Sequence, residues 1–177
     1  MAEALLIVDF QNDFTPGGAL AVPHGDEIGG RVAELVDSGR FDLIVATRDW
    51  HPADHSSFAA EGGPWPPHCV QGTEGAELHP SLDRAKVDVV VDKGDDRATE
   101  GYSGFQGTRL GELLRERGID GVTVTGLATD YCVRATALDA LGEGIRVTVD
   151  RAGVRGIDAG DSERALDEIR AAGGSVE

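Results

Sequence analysis

Five short runs of branched and apolar residues alternate with segments of helical spacing, and this alternation limits the chain to few architectures. The runs are Ala4–Val8, Leu43–Thr47, Val87–Asp92, Gly121–Thr125 and Ile145–Val149. They are rich in Val, Ile, Leu and Thr, as buried strands are. Between them, Ile28, Val32, Leu35 and Val36 mark an amphipathic helix closed by Gly39, and Leu110, Leu113 and Leu114 mark a second that ends at Gly118. Val133, Ala137, Leu138 and Leu141 mark a third, and Leu166 with Ile169 a fourth, which Asp161 is placed to cap. Gly174–Glu177 is too short to assign. The pattern predicts a three-layer α/β/α sandwich around a mostly parallel sheet. With 177 residues and no internal repeat, the chain reads as a single domain over residues 1–177.

In sheets of this kind, ligands bind beyond the carboxyl ends of the strands. Asp9, Asp49, Lys93 and Cys132 each lie at or just past such an end, so the fold would gather them on one rim. The loop after the first strand has no GxGxxG, so the dinucleotide fingerprint is absent. The segment Trp50–Lys86 breaks the rhythm and carries four of the five histidines. Connections this long inside a domain are usually functional or disordered, and its content favours function.

Charge and leader signals narrow the partners. The formal net charge is −16 with no compensating basic patch, which argues against nucleic acid and against anionic membrane surfaces. The start lacks a basic n-region and a cleavage site, and no run approaches the ~18 apolar residues of a membrane span. Two cysteines, Cys69 and Cys132, form no CxxC pattern. Together these point to a cytoplasmic protein with reduced thiols, and say little about a small neutral substrate. A homo-oligomer is left open.

Cys132 sits where the strand Gly121–Thr125 hands over to a helix, after Gly126-Leu127-Ala128-Thr129-Asp130-Tyr131. Unpaired N–H groups at a helix start favour a thiolate and can hold a developing oxyanion. Taken alone, the position also suits a small buried hydrophobe. Lys93 could lower the thiol pKa or pair with Asp9, or be a solvated surface lysine; Asp9 could be a base or a turn residue. The three together would make an activated nucleophile.

Asp49 and His51 are two positions apart after a strand, where residues i and i+2 point the same way. With His55 and His68 in the loop that follows, they form a mixed nitrogen and oxygen set suited to zinc, iron or manganese. The alternative is a polar loop with ordinary surface histidines. Cys69 could be a ligand, a second nucleophile or a packed small residue. Phe14, Trp65 and Tyr102 fall in loops after strand ends, where they could wall a flat ring or pack in the core.

These residues carry a family resemblance over nearly the whole chain. Val8-Asp9-Phe10-Gln11-Asn12-Asp13-Phe14, Thr47-Arg48-Asp49-Trp50-His51-Pro52, Trp65-Pro66-Pro67-His68-Cys69, Lys93-Gly94 and Gly126-Leu127-Ala128-Thr129-Asp130-Tyr131-Cys132-Val133 resemble nicotinamidases, also called pyrazinamidases, of the isochorismatase-like cysteine hydrolases. The resemblance implies the isochorismatase-like fold and hydrolysis of nicotinamide to nicotinate and ammonia through a thioester, with pyrazinamide as a further substrate. It implies a catalytic triad of Asp9, Lys93 and Cys132, and an oxyanion hole of the Ala128 and Cys132 N–H groups. It implies Asp49, His51 and His68 as ligands of one divalent metal ion, zinc foremost and iron or manganese as alternatives, with His55 a further ligand in some members. Phe14 and Trp65 would sandwich the ring beside Tyr102, and the Leu127–Ala128 peptide would be cis. Tyr131 stands where some members carry His. Two rival readings are a related hydrolase acting on another amide or carbamoyl group, and a non-catalytic binding module on a similar fold.

Overall fold

Along β1 (Ala2–Val8), Ala4, Leu6 and Val8 face one apolar layer while Leu5 and Ile7 face the other. Successive strand residues point to opposite faces, so a strand apolar at every one of these positions has to be covered on both sides. The computed structural model, which describes residues 1–177, has that arrangement. One layer holds α2 (Leu110–Glu116), α3 (Arg134–Gly142) and α4 (Ala159–Ala171). The other holds α1 (Gly29–Asp37) and much of the long connection, through Cys69, Ala76 and Leu82.

The remaining strands are β2 (Leu43–Asp49), β3 (Val89–Lys93), β4 (Ile119–Leu127), β5 (Arg146–Arg155) and β6 (Ser175–Val176). The sheet has six strands in the order β3-β2-β1-β4-β5-β6, and every neighbouring pair is parallel. Chain order reverses direction between β1 and β4. That switch point is where the carboxyl ends of an open α/β sheet leave a crevice.

Three details differ from the sequence reading. The N-cap of α4 is Asp158 rather than Asp161: Asp158 has an extended backbone and accepts the Asp161 N–H at 2.8 Å. An N-cap must stand outside the helix while its side chain reaches the third N–H, and Asp161 already lies in the first turn. Strand β5 continues past Val149 to Arg155 through a bulge, with Val149 opposite Val124 and Val154 opposite Gly126. Asp150 in that bulge is held by Arg31 of α1 at 2.6 Å. The carboxyl-terminal residues do form a strand, because Ser175 and Val176 extend the sheet beside Thr148 and Val149.

The segment after β2 crosses the carboxyl ends of the strands in single 3-10 turns at Ala59–Glu61, Glu74–Ala76 and Arg84–Lys86. Isolated bridges fold it on itself, His51 to Val70 and Phe58 to Trp65, and another, Gln11 to Leu78, ties it to the loop after β1. No helix is long and apolar enough to cross a membrane.

Candidate active site

Four adjacent strand ends build the site. Asp9 follows β1, Asp49 closes β2, Lys93 closes β3, and Cys132 lies in the turn after β4. Asp49 and Lys93 are register partners on neighbouring strands. Gly126 lets β4 run against β1 before the turn. Its φ is +115°, and a Cβ there would sit 1.9 Å from the Val8 carbonyl oxygen. The Leu127–Ala128 peptide is cis. The chain then makes one wide turn, Thr129–Val133, in which the Val133 N–H reaches back to Ala128 O at 3.1 Å. Cys132 therefore sits on a π-type turn ahead of α3 rather than on a plain helix start.

Lys93 Nζ is the hub. It donates to Asp49 Oδ1 at 2.6 Å and to Gly101 O at 2.5 Å, and lies 2.8 Å from Asp9 Oδ2 and 3.5 Å from Cys132 Sγ. All four side chains are buried. Asp9 reaches this point from a left-handed backbone, φ +49°, a conformation Asp tolerates better than most residues. Thr47 Oγ1 donates to Asp9 Oδ1 at 2.8 Å, while no hydrogen bond of good geometry reaches Oδ2. That oxygen faces the Lys93 ammonium at 2.8 Å.

One cation among three acidic groups divides their proton affinities. Burial would raise Asp49, but Lys93 and His51 outweigh it and hold the carboxyl below the usual carboxylate range. Burial pushes Asp9 up to about 6, with Lys93 only partly opposing. Burial would lower Lys93, but Asp49 and Asp9 more than offset it and keep the ammonium charged. Burial also pushes the Cys132 thiol well above its ordinary value, with Lys93 opposing and both aspartates adding to the rise. Burial and the two carboxylates run against the thiolate that a helix start alone would favour.

Asp49 divides its two oxygens. Oδ1 faces Lys93, while Oδ2 lies 3.3 Å from His51 Nε2 and 3.8 Å from His68 Nε2. His51 Nδ1 bonds Gly94 O at 2.7 Å and His68 Nδ1 bonds Pro66 O at 2.8 Å. A carbonyl partner at Nδ1 places the proton there and leaves the Nε2 lone pair free. Two lone pairs and a carboxylate oxygen then converge, an arrangement that repels itself unless a cation lies among them. Asp49, His51 and His68 therefore fit a divalent metal ion, with their ligand atoms within 4.8 Å of one another.

His55 stands beside this cluster rather than in it. Its Nε2 bonds Thr99 O at 2.8 Å, its Nδ1 bonds Ser57 Oγ at 2.7 Å, and its ring stacks on His51 at 3.9 Å. Both ring nitrogens thus have protein partners, and they do not join the ligand atoms of Asp49, His51 and His68. Cys69 is buried with its N–H on Asp13 Oδ2, and burial holds its thiol well above its ordinary value, so it is a packed residue.

Above the thiol is a narrow cleft lined by Phe14, Trp65, Tyr102, His68, Asp49 and Cys132 among others. Trp65 Nε1 donates to Tyr102 Oη at 2.9 Å, which fixes both rings. Phe14 lies 5.6 Å from the His68 ring.

Some supporting residues were given no role from the sequence. Gln11 Oε1 accepts the Asp49 N–H at 2.9 Å and its Nε2 donates to Asp49 O at 2.8 Å, so it clamps the backbone of Asp49. Phe58 packs its edges against His51, His55 and His68. A buried Gln and a Phe in a long loop look alike from sequence whether they brace a site or fill a core. Only Gln11's place beside Asp9 offered a hint.

A doubly covered parallel sheet, with a thiol, a carboxylate and an ammonium buried together at its switch point, defines a cysteine-hydrolase class of enzyme. More particularly, the chain belongs to the isochorismatase family: residues 3–177 match the model of the isochorismatase domain. It is 43% identical to the nicotinamidase of Escherichia coli, over 98% of this chain and 93% of that protein. It is 45% identical to the nicotinamidase/pyrazinamidase of Mycobacterium tuberculosis, over 96% of this chain and 95% of that protein. Among solved structures, the pyrazinamidase of Pyrococcus horikoshii in complex with zinc superposes with TM-score 0.93 at 49% identity, covering 100% of this chain and 99% of that one. PnC1 of L. infantum in complex with nicotinate superposes with TM-score 0.96 at 36% identity, covering 99% and 92%.

Proposed function

We propose that this chain is a nicotinamidase, acting as a single domain over residues 1–177. It hydrolyses nicotinamide to nicotinate and ammonia, and pyrazinamide alongside. The observation that carries the reading is the position of Lys93 Nζ, between Asp9 and Cys132 on one side and the metal-fitting Asp49 on the other, beneath an aromatic cleft. An acyclic amide would not need Phe14, Trp65 and Tyr102 around it, which favours a ring over the rival amides.

Phe14 and Trp65 hold the ring between their faces, and Tyr102 keeps Trp65 in place. Asp49, His51 and His68 hold the divalent ion, zinc first given the imidazole and carboxylate donors and the zinc complex of the Pyrococcus horikoshii relative. Bound there, the ion supplies Lewis-acid anchoring for the ring nitrogen or a water beside it.

The Cys132 thiol passes its proton to Asp9 as Sγ attacks the carboxamide carbon. The Ala128 and Cys132 N–H groups stabilise the oxyanion; in other enzymes, loss of one such donor costs about 3–4 kcal/mol. Asp9 returns the proton to the amide nitrogen, ammonia leaves, and a thioester remains. A water gives its proton to Asp9 and attacks the thioester. Cys132 departs, regains a proton and releases nicotinate. Lys93 offsets the negative charge that moves between Sγ and Asp9. Two free cysteines and no disulfide support a cytoplasmic site of action, where thiols stay reduced.

The test is ammonia release from nicotinamide by protein of measured metal content, with Cys132→Ala in parallel. The parent should turn over and the variant should not, at unchanged metal content. Equal turnover by both would overturn the mechanism, and a parent active only on acyclic or carbamoyl substrates would favour the rival hydrolase.

A further inference from the structure

We propose that Ile157 is a specificity-determining wall of the aromatic cleft and that Asp130 is the residue that positions it; this rests on the ring-amide reading above. Ile157 lies in the turn between β5 and α4, and its side chain lines the cleft with Leu20, Val22 and Tyr131. It is 37% exposed, and the only other exposed large hydrophobic residue is Met1 at 96%. Ile157 offers apolar surface to this cleft and also to the neighbouring open pocket with Pro23, His24 and Val154.

The turn that holds it is not free to move independently. Asp130 Oδ1 accepts the Ile157 N–H and Asp130 Oδ2 accepts the Asp158 N–H, each at 3.0 Å. Gly156 permits this approach, since a Cβ there would sit 1.7 Å from Ser162 Oγ and 3.1 Å from Asp130 Oδ1. Asp158 in turn caps α4. Asp130 belongs to the same turn, Thr129–Val133, that carries Cys132. One carboxylate thus sets the separation between the attacking sulfur and the apolar wall. A ring substituent directed at Ile157 meets branched methyl groups, and a polar one loses its hydration there. The wall therefore selects rings without such substituents.

The experiment compares steady-state kinetics on nicotinamide, 5-methylnicotinamide and 6-methylnicotinamide for the parent, Ile157→Ala, Asp130→Asn and Asp130→Ala. One side chain at an apolar wall changes discrimination about tenfold. Ile157→Ala should raise KM for nicotinamide by that factor with kcat within about twofold, and lower the preference for nicotinamide over at least one methyl analogue about tenfold. Asp130→Ala should reproduce the lost preference, and Asp130→Asn, which keeps one acceptor oxygen, should partly restore it. Unchanged KM and preference in Ile157→Ala overturn the wall. A fall in kcat with unchanged preference in Asp130→Ala overturns the positioning. Absence of ammonia release by the parent from all three amides refutes the proposed function instead. The wall is then read from quenching of tryptophan fluorescence by nicotinamide, which has to weaken about tenfold in Ile157→Ala; equal curves overturn it.

Discussion

Asp49 and Lys93 face each other across β2 and β3 as register partners, and their side chains meet at 2.6 Å. The contact joins two clusters that the sequence presents separately. One oxygen of Asp49 belongs to the ammonium and the other to the two imidazoles. Charge placed at either end is felt at the other, because the whole assembly is buried and little solvent screens it.

Removing the cation should therefore be costly twice. Lys93→Met leaves Asp9 and Asp49 facing each other without a counter-charge, and breaking a buried pair in this way destabilises by about 3–5 kcal/mol. Urea unfolding should show that loss, and the ammonia assay should show loss of turnover in the fraction that remains folded. A variant with parental stability and activity would contradict the role of Lys93 as hub.

The proton affinity of Asp9 sets the expected pH profile. Its carboxyl is raised to about 6 by burial. The base form dominates above that value and is lost below it, so kcat/KM for nicotinamide should fall about tenfold per pH unit on the acid side. An acid limb centred near the ordinary carboxylate value would show that Asp9 is not the group that takes the thiol proton.

Metal retention should separate the histidines. His68→Ala removes a nitrogen whose lone pair faces Asp49 Oδ2, and the purified protein should lose its stoichiometric ion. His55→Ala removes a ring whose nitrogens already bond Ser57 and Thr99, and should retain the ion while weakening its affinity by about 10–100-fold, as neighbours of ligands do. Elemental analysis and chelator competition measure both. Equal loss in the two variants would make His55 a ligand after all.

Salt should stabilise the fold. The chain carries 32 acidic against 16 basic residues, a net charge of −16, and self-repulsion on that scale opposes the compact state. Raising ionic strength from about 0.05 M to about 1 M shortens the screening length severalfold and should raise Tm by about 5 °C, the equivalent of a kcal/mol or two in a chain of this size. A flat or falling Tm would show that local pairing already neutralises the surface.

The sequence by itself determined the layers and their order. Apolar residues at every position of Ala4–Val8 read as a strand buried on both faces, and the helical spacing around Val32 and Leu35 reads as a helix packed on that sheet. The same periodicities put Asp9, Asp49 and Lys93 at strand ends and Cys132 just beyond one, because a strand stops being apolar where it leaves the core. Tertiary structure decided how those groups interact. That Asp49 shares its oxygens between Lys93 and two histidines, that burial and two carboxylates raise the thiol, that His55 bonds Thr99, and that Asp130 reaches across to Ile157 all depend on distances between residues remote in the chain. Periodicity reports which face a residue takes; it carries no information about which of several buried charges lies nearest a given cation, and in a low-dielectric interior that separation sets the proton affinities.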